Sequence, residues 1–317
     1  MNIKKLLPIV GIIILIYLIS TMDISAVLKN FLNIPFLFAF ICLFAVVPIL
    51  ISTAIQWQMV LKKQKIHVSF YYSIKNILIG YFYGFITPGG FGAYIKSLYL
   101  KEESGQPLPK CISNIITFNT LDFLSLLILG MIGSFFLTSI IPYLFITITI
   151  VFITCTALFI FFLRKKKSKD LFTRIIKSNI FSLVKNKLED PLETFYEHLP
   201  SFKDLIIPFI ISILGWILLF TEFYFIAILF SIHIPYIWFI CIFSIAYVIA
   251  SLPISIYGLG TREVALISLF SLFSVPAENV LSFSLFCFVI IWVIPSITGA
   301  VITSMEHKKF YDNSLKQ

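Results

Sequence analysis

Long apolar runs separated by short polar breaks make up this chain, and the length of each run decides what it can be. Crossing the hydrocarbon core of a bilayer, ~30 Å thick, takes about 20 predominantly apolar residues in a helix. Runs approaching that length lie at about Leu6 to Ser20, Ile34 to Trp57, Cys111 to Leu137, Tyr143 to Leu163, Leu205 to Phe230, Pro235 to Ile256 and Glu278 to Thr303. Their apolarity is continuous rather than alternating in ten-residue segments, which predicts helices and excludes a β-barrel. An eighth crossing, Arg262 to Phe273, offers about 12 residues or roughly 18 Å of helix. It reaches the far side only if irregular backbone over Ser255 to Thr261 supplies part of the depth.

Two further stretches are apolar but interrupted. Gly80 to Leu100, GYFYGFITPGGFGAYIKSLYL, is broken by Thr87, Pro88, Gly89, Gly90 and Gly92, and Lys96 follows one helical turn later. Ser251 to Phe270, SLPISIYGLGTREVALISLF, is broken by Pro253, Gly258 and Gly260, with Arg262 and Glu263 directly after. No helix runs unbroken through such clusters, because Pro lacks an N–H and Gly adds backbone freedom that helix formation must remove. In hydrocarbon, broken backbone survives only where protein covers it or where it lines a wet cavity. One broken segment in each half of a membrane protein points to a binding site. The opened helix ends present N–H groups and a positive dipole end suited to an anion.

Charge threads these runs through the bilayer, since basic loops stay cytoplasmic. Lys4 and Lys5 precede the first run, and Thr21, Met22 and Asp23 after it offer no small-x-small cleavage site, so an uncleaved first span is expected. Lys62, Lys63, Lys65 and His67 follow the second run, and His307, Lys308 and Lys309 follow the last. Ten of the 24 basic residues fall between Arg164 and Asp204. Were Ser69 to Thr87 a full crossing with no return, that segment would lie outside. A re-entrant hairpin removes the conflict, entering near Ser73, breaking at Pro88 to Gly92 and returning by Lys101. The expected fold is an all-α polytopic membrane protein, a single integral domain over 1–317 with about eight transmembrane helices plus one re-entrant hairpin. Both termini are expected to be cytoplasmic and the location the cell membrane.

Composition agrees: 59% hydrophobic and only 12% charged residues, with a mean hydropathy of +1.01, lie outside the range of soluble domains. The formal charge is +9. Within the basic segment 164–204, Leu171, Ile175, Phe181, Leu183, Val184 and Leu188 recur among lysines at near-helical spacing. That pattern suits amphipathic helices on an anionic leaflet, and equally a solvated linker. The cysteines, Cys42, Cys111, Cys155, Cys241 and Cys287, stand singly in apolar runs and read as small core residues. His67, His198, His233 and His307 fall in loops or at ends, and neither HExxH nor GxSxG occurs. No enzyme activity is expected, and no metal, cofactor or P-loop nucleotide site. Inside the spans, Asn114, Asp122 and Ser125 fall within about 80° of one another on a helix, and Glu222 sits deep in another run. An acid in a span faces the bundle interior or a cavity.

The residues Gly80, Pro88, Gly89, Gly90, Gly92 and Lys96, with the later L-P-I-S-x-x-G-L-G-x-R-E of Leu252 to Glu263, resemble the lysylphosphatidylglycerol synthase transmembrane domain, a flippase-like family of bacteria and archaea. The resemblance covers nearly the whole chain and implies translocation or handling of a membrane lipid. Some relatives carry a fused aminoacyl-transfer domain that modifies phosphatidylglycerol, others a glycosyltransferase acting with polyprenyl-phosphate sugars. With about 14 residues after the last span, a stand-alone member is expected. Under this reading Lys96 and Arg262 bind a lipid phosphate, helped by N–H groups of Gly89, Gly90, Gly92, Gly258 and Gly260. Asn114, Asp122, Glu222 and Glu263 line a polar cavity, where the acids balance the cations or hold a cationic head group. Pro88 and Pro253 break the helices. The competing reading has Lys96 snorkelling to the interface, Arg262 and Glu263 forming a structural pair, and the glycines serving close helix packing. Expected partners are an anionic phospholipid or polyprenyl phosphate, or a separate transferase for which the chain is a scaffold. Nucleic acid is not expected.

Overall fold

In hydrocarbon each backbone N–H and C=O must be satisfied within its own segment, so every uninterrupted apolar run folds as a helix. A computed structural model describes residues 7–164, 168, 185–197, 199–252 and 255–314. The first half contains α1 (Leu7–Ser20), α2 (Ile24–Leu32), α3 (Phe36–Cys42), α4 (Val46–Lys63), α5 (Phe70–Phe85), a 3-10 segment (Pro88–Ile95), α6 (Lys96–Ser104), α7 (Leu108–Phe136) and α8 (Pro142–Leu163). The second half contains α9 (Lys185–Glu197), α10 (Phe202–Leu229), α11 (Tyr236–Ala250), a 3-10 turn (Ile256–Gly258), α12 (Thr261–Phe270), α13 (Ala277–Phe288) and α14 (Ile294–Ser314). No strand occurs among the described residues.

The all-helical membrane architecture is as expected, while the described residues do not confirm the expected count of eight crossings. Among the described residues six helices are long and apolar enough to span, Phe36–Lys63, Leu108–Phe136, Pro142–Leu163, Phe202–Leu229, Ile256–Phe273 and Ala277–Glu306, and up to seven if a bent pair counts as one span. The bent pair is the first run: its two halves, Ile12–Ser20 and Ile24–Leu32, meet at 98°. Asp23 causes the break, because its Oδ1 accepts the N–H of Ser25 at 2.9 Å and of Ala26 at 3.3 Å, starting a new helix. The expected crossing Pro235 to Ile256 holds a 15-residue helix, α11, about 22 Å long. The short eighth crossing behaves as its length requires, since irregular turns extend α12 to an 18-residue span, Ile256–Phe273.

The hairpin forms as a short helix, a 3-10 return and a second short helix. Ala93 packs over Gly84 and the Lys96 stem over Gly80, so the chain folds back on α5. Much of the basic segment, 165–167 and 169–184, lies outside the described residues, and so do His198 and the predicted break at Pro253. Of that segment α9 is described, with Phe195 and Tyr196 packed on Phe162 of α8. None of the cysteines is in a disulfide; all are buried except the half-buried Cys155.

Two apolar cores hold the bundle. One is aromatic, built from Phe220, Phe223, Phe239, Phe243, Phe270 and Phe283 of α10 to α13. The other gathers Trp57, Leu61, Ile66, Leu100, Ile115 and Phe118 around α4 and α7. Close contacts tie the halves together. Gly299 of α14 sits against α5 so tightly that a Cβ there would lie 2.0 Å from the Leu78 carbonyl oxygen, and Lys75 pairs with Glu306 at 2.7 Å along the same contact. Because the obstructing atom is backbone, Gly299→Ala must push the helices apart. We expect it to cost about 1–3 kcal/mol, as overpacking does, read as a lowered thermal midpoint in detergent; an unchanged midpoint would show that α14 does not lean on α5.

Candidate functional site

Each interruption closes its opened backbone before it faces the other. In the first, the Thr87 hydroxyl donates to the Tyr83 carbonyl at 2.8 Å and accepts the Gly92 N–H at 2.7 Å. Gly90 has φ +71°, and its N–H donates to the Thr87 carbonyl at 3.2 Å. A Cβ on Gly92 would lie 2.1 Å from the Tyr83 carbonyl oxygen, so only Gly lets the return come this close. In the second, the Gly260 N–H donates to Glu263 Oε2 at 2.6 Å, and the Thr261 hydroxyl donates to the Gly258 carbonyl at 3.1 Å.

Tyr257 joins the two interruptions. It stands at φ +47°, a left-handed conformation that costs a bulky residue of order 1–3 kcal/mol and persists only when its surroundings hold it. Its hydroxyl fills the notch left by Gly84, where a Cβ would lie under 2 Å away, and donates to the Tyr81 carbonyl at 3.4 Å. Its ring stacks on Trp292, centroids 3.9 Å apart and planes 22° apart.

Beneath this contact is a cavity of about 260 Å³. The hairpin contributes Gly80, Tyr81, Ala93 and Lys96, the second interruption contributes Tyr257, and α4, α7 and α10 supply Gln56, Asp122 and Ser212 among others. Lys96 is 7% exposed. Its stem crosses Gly80, its carbonyl accepts from Asn76 Nδ2 at 3.1 Å, and its ammonium lies 5.1 Å from the Phe118 ring centroid and 5.9 Å from that of Trp57. No carboxylate among the described residues comes within 4.0 Å of that ammonium. Asp122 shares the cavity. Its Oδ1 accepts from the Ser212 hydroxyl at 2.9 Å, and its carbonyl accepts from Trp216 Nε1 at 3.2 Å.

Arg262 is placed elsewhere. It is 1% exposed and does not line the cavity. Its guanidinium donates through Nε and Nη2 to Glu263 Oε1 and through Nε to the Ser284 hydroxyl at 3.2 Å, while the Tyr247 and Phe288 rings cover it. This pair matches the structural reading offered by the sequence.

With both interrupted segments in one site, the sequence matches the family described as lysylphosphatidylglycerol synthase TM region over residues 6–299. The chain belongs to this family. A comparison with curated proteins finds no match. The stretch matched by the TM-region family contains every cavity residue named above.

In this member of the TM-region family the remaining candidates fall into separate places. Asn114 is fully buried away from the cavity, where its Oδ1 accepts from Trp57 Nε1 at 2.8 Å and its Nδ2 donates to Gln64 Oε1 at 2.7 Å. Ser125, predicted on the same face as Asp122, donates to the Asp122 carbonyl at 2.7 Å and reaches its carboxylate through Ser212, the two hydroxyls lying 2.6 Å apart. Glu222 does not line the cavity; its Oε2 is buried without a hydrogen-bond partner among the described residues. Gly89 lies in the 3-10 return with Pro88, and Gly258 is buried at φ +76°. Sequence reasoning missed Gln56, Ser212, Tyr257 and Trp292. A signal existed for Gln56, a lone amide within an apolar run, and for Tyr257, inside the second interruption.

Because Arg262 and Glu263 are sealed together, removing one partner leaves the other charge buried. Arg262→Gln should lower stability by about 3 kcal/mol, and Arg262→Met with Glu263→Gln should cost less than the sum of the two single changes. Additive losses in a double-mutant cycle on detergent-solubilised protein would rule out the coupling.

Proposed function

We propose that the chain carries the head group of an anionic membrane lipid, a phospholipid or a polyprenyl phosphate, through the cavity between its two interrupted segments while the acyl chains stay in the bilayer. The observation that carries this reading is Lys96. A lysine within a span costs several kcal/mol and by default marks a pathway for a substrate or ion. Here the ammonium lines a cavity without a carboxylate partner among the described residues, so a ligand phosphate would complete it.

Asp122 supports transport rather than permanent capture, because it moderates the field that Lys96 sets up in the same cavity. In this reading no bond is made or broken and the chain is not an enzyme. The anion-binding role passes from the Lys96 and Arg262 pair to Lys96 alone, since the guanidinium lies outside the cavity lining and is paired with Glu263 and Ser284. The N–H groups of Gly90, Gly92 and Gly260 likewise have partners within the protein. Basic termini and the basic segment 164–204 favour a cytoplasmic side shared by both ends, and they would gather anionic lipid there.

The test is transport of phosphatidylglycerol with a fluorescent acyl label in reconstituted vesicles, scored by the loss of signal when a membrane-impermeant reductant is added outside. Lys96→Gln should slow exchange at least tenfold with its thermal midpoint held. Exchange at the wild-type rate would refute the reading.

A further inference from the structure

Among the described residues Lys96 is joined by two other cavity nitrogens without an acceptor. Gln56, on α4, is 2% exposed, lines the cavity, and its Nε2 is buried with no hydrogen-bond partner among the described residues. Trp292, between α13 and α14, also lines the cavity, and its Nε1 is buried and unpartnered among the same residues. Buried donors are almost always satisfied, and each one left unmade costs about 1–3 kcal/mol. An amide, an indole and an ammonium around one cavity, all without acceptors among the described residues, form a donor set whose complement is a ligand rich in oxygen lone pairs.

The indole is also held in place. Tyr257, in its left-handed conformation, stacks on Trp292 at 3.9 Å, and Tyr81 meets the indole edge-on at 5.4 Å. Gly84 leaves the space that lets the Tyr257 hydroxyl lie where it does. The Tyr257 ring, held in its left-handed conformation, therefore helps to fix the indole in place, and strained residues of this kind cluster at binding sites.

We propose that Gln56 and Trp292 are the specificity-determining donors of an oxyanion site, which together with Lys96 bind the phosphate oxygens of the lipid head group. This rests on the reading of the cavity as a head-group chamber and adds the two residues that tell a phosphate from a neutral polar group of similar size. A lone ammonium supplies charge without direction, whereas two oriented neutral donors fix where the oxygens sit.

The test uses full-length protein in detergent with indole-¹⁵N tryptophan, titrated with dihexanoyl phosphatidylglycerol, dihexanoylglycerol or inorganic phosphate. Trp292→Phe keeps an aromatic ring for Tyr257 and removes the N–H together with part of the indole, and Gln56→Met keeps the length and removes the amide; binding is compared at a temperature well below the thermal midpoint of each variant. The phospholipid should move the Trp292 indole N–H resonance downfield and dihexanoylglycerol should not. Each substitution should weaken phospholipid binding about ten- to a hundredfold, the range for a hydrogen bond to a charged group. If Lys96→Gln abolishes binding while Trp292→Phe and Gln56→Met bind like wild type, the donor assignment is wrong and the head-group chamber stands. If wild type binds neither phosphate ligand, both fail. If inorganic phosphate alone produces the shift and the phospholipid does not, the site serves a free anion and the lipid assignment is overturned.

Discussion

Backbone opened inside hydrocarbon must find partners locally, and that requirement shapes the centre of this protein. Each interruption meets it with one short side chain. Thr87 takes the Gly92 N–H at the first break, and Glu263 takes the Gly260 N–H at the second. With the peptide groups satisfied, the two breaks can pack on each other instead of on solvent, and the Tyr257 hydroxyl in the Gly84 notch is where they do so. The cavity is the space left beneath that contact. Were the breaks open to bulk water, their polar groups would need no internal partners and the close approach would have no cause.

The two cations near the breaks have different fates for the same reason. Arg262 follows Gly260 by two residues and precedes Glu263 by one, so when Glu263 turns back to cap the new helix its second oxygen lies beside the guanidinium. Two guanidinium N–H groups then donate to that one oxygen, charge-assisted bonds stronger than neutral ones, and the Ser284 hydroxyl donates to it as well. Lys96 has no acid beside it in sequence. Its stem runs over Gly80 toward Phe118 and Trp57, and only rings and the cavity surround its ammonium. Arginine thus serves the fold and lysine the cavity, although both follow a Gly-rich break.

Much of this was legible in the sequence because it depends on length and on residue type. Runs of a given length become spans, Pro and Gly open a helix, and a segment of about 12 residues must borrow depth from its neighbour. The 98° bend at Asp23 had a visible signal as well, an acid just before Ser25 and Ala26, but an apolar run on either side hid it. Partnership was not legible. Helical angles place Asn114 near Asp122, yet Asn114 lies two turns away along the axis, level with Trp57 and Gln64, and is consumed there. Angle alone ignores depth, and depth decides which polar side chains meet. Gln56 shows the converse, since nothing in its neighbours along the chain reveals that the hairpin and Trp292 face it.

A transport site must bind strongly enough to draw a ligand in and weakly enough to release it. The bare helix N-terminus at Thr261 would attract an anion, but Glu263 already occupies it with a carboxylate of the protein's own. That leaves one ammonium in the cavity, set against an acid on α7 whose Oδ1 is held by Ser212. On the transport reading proposed above, the net field on a phosphate would be modest, and Arg262 and Lys96 together would bind it more strongly. On that reading, keeping the arginine in the fold leaves the chamber weakly charged, as a group that has to leave again requires.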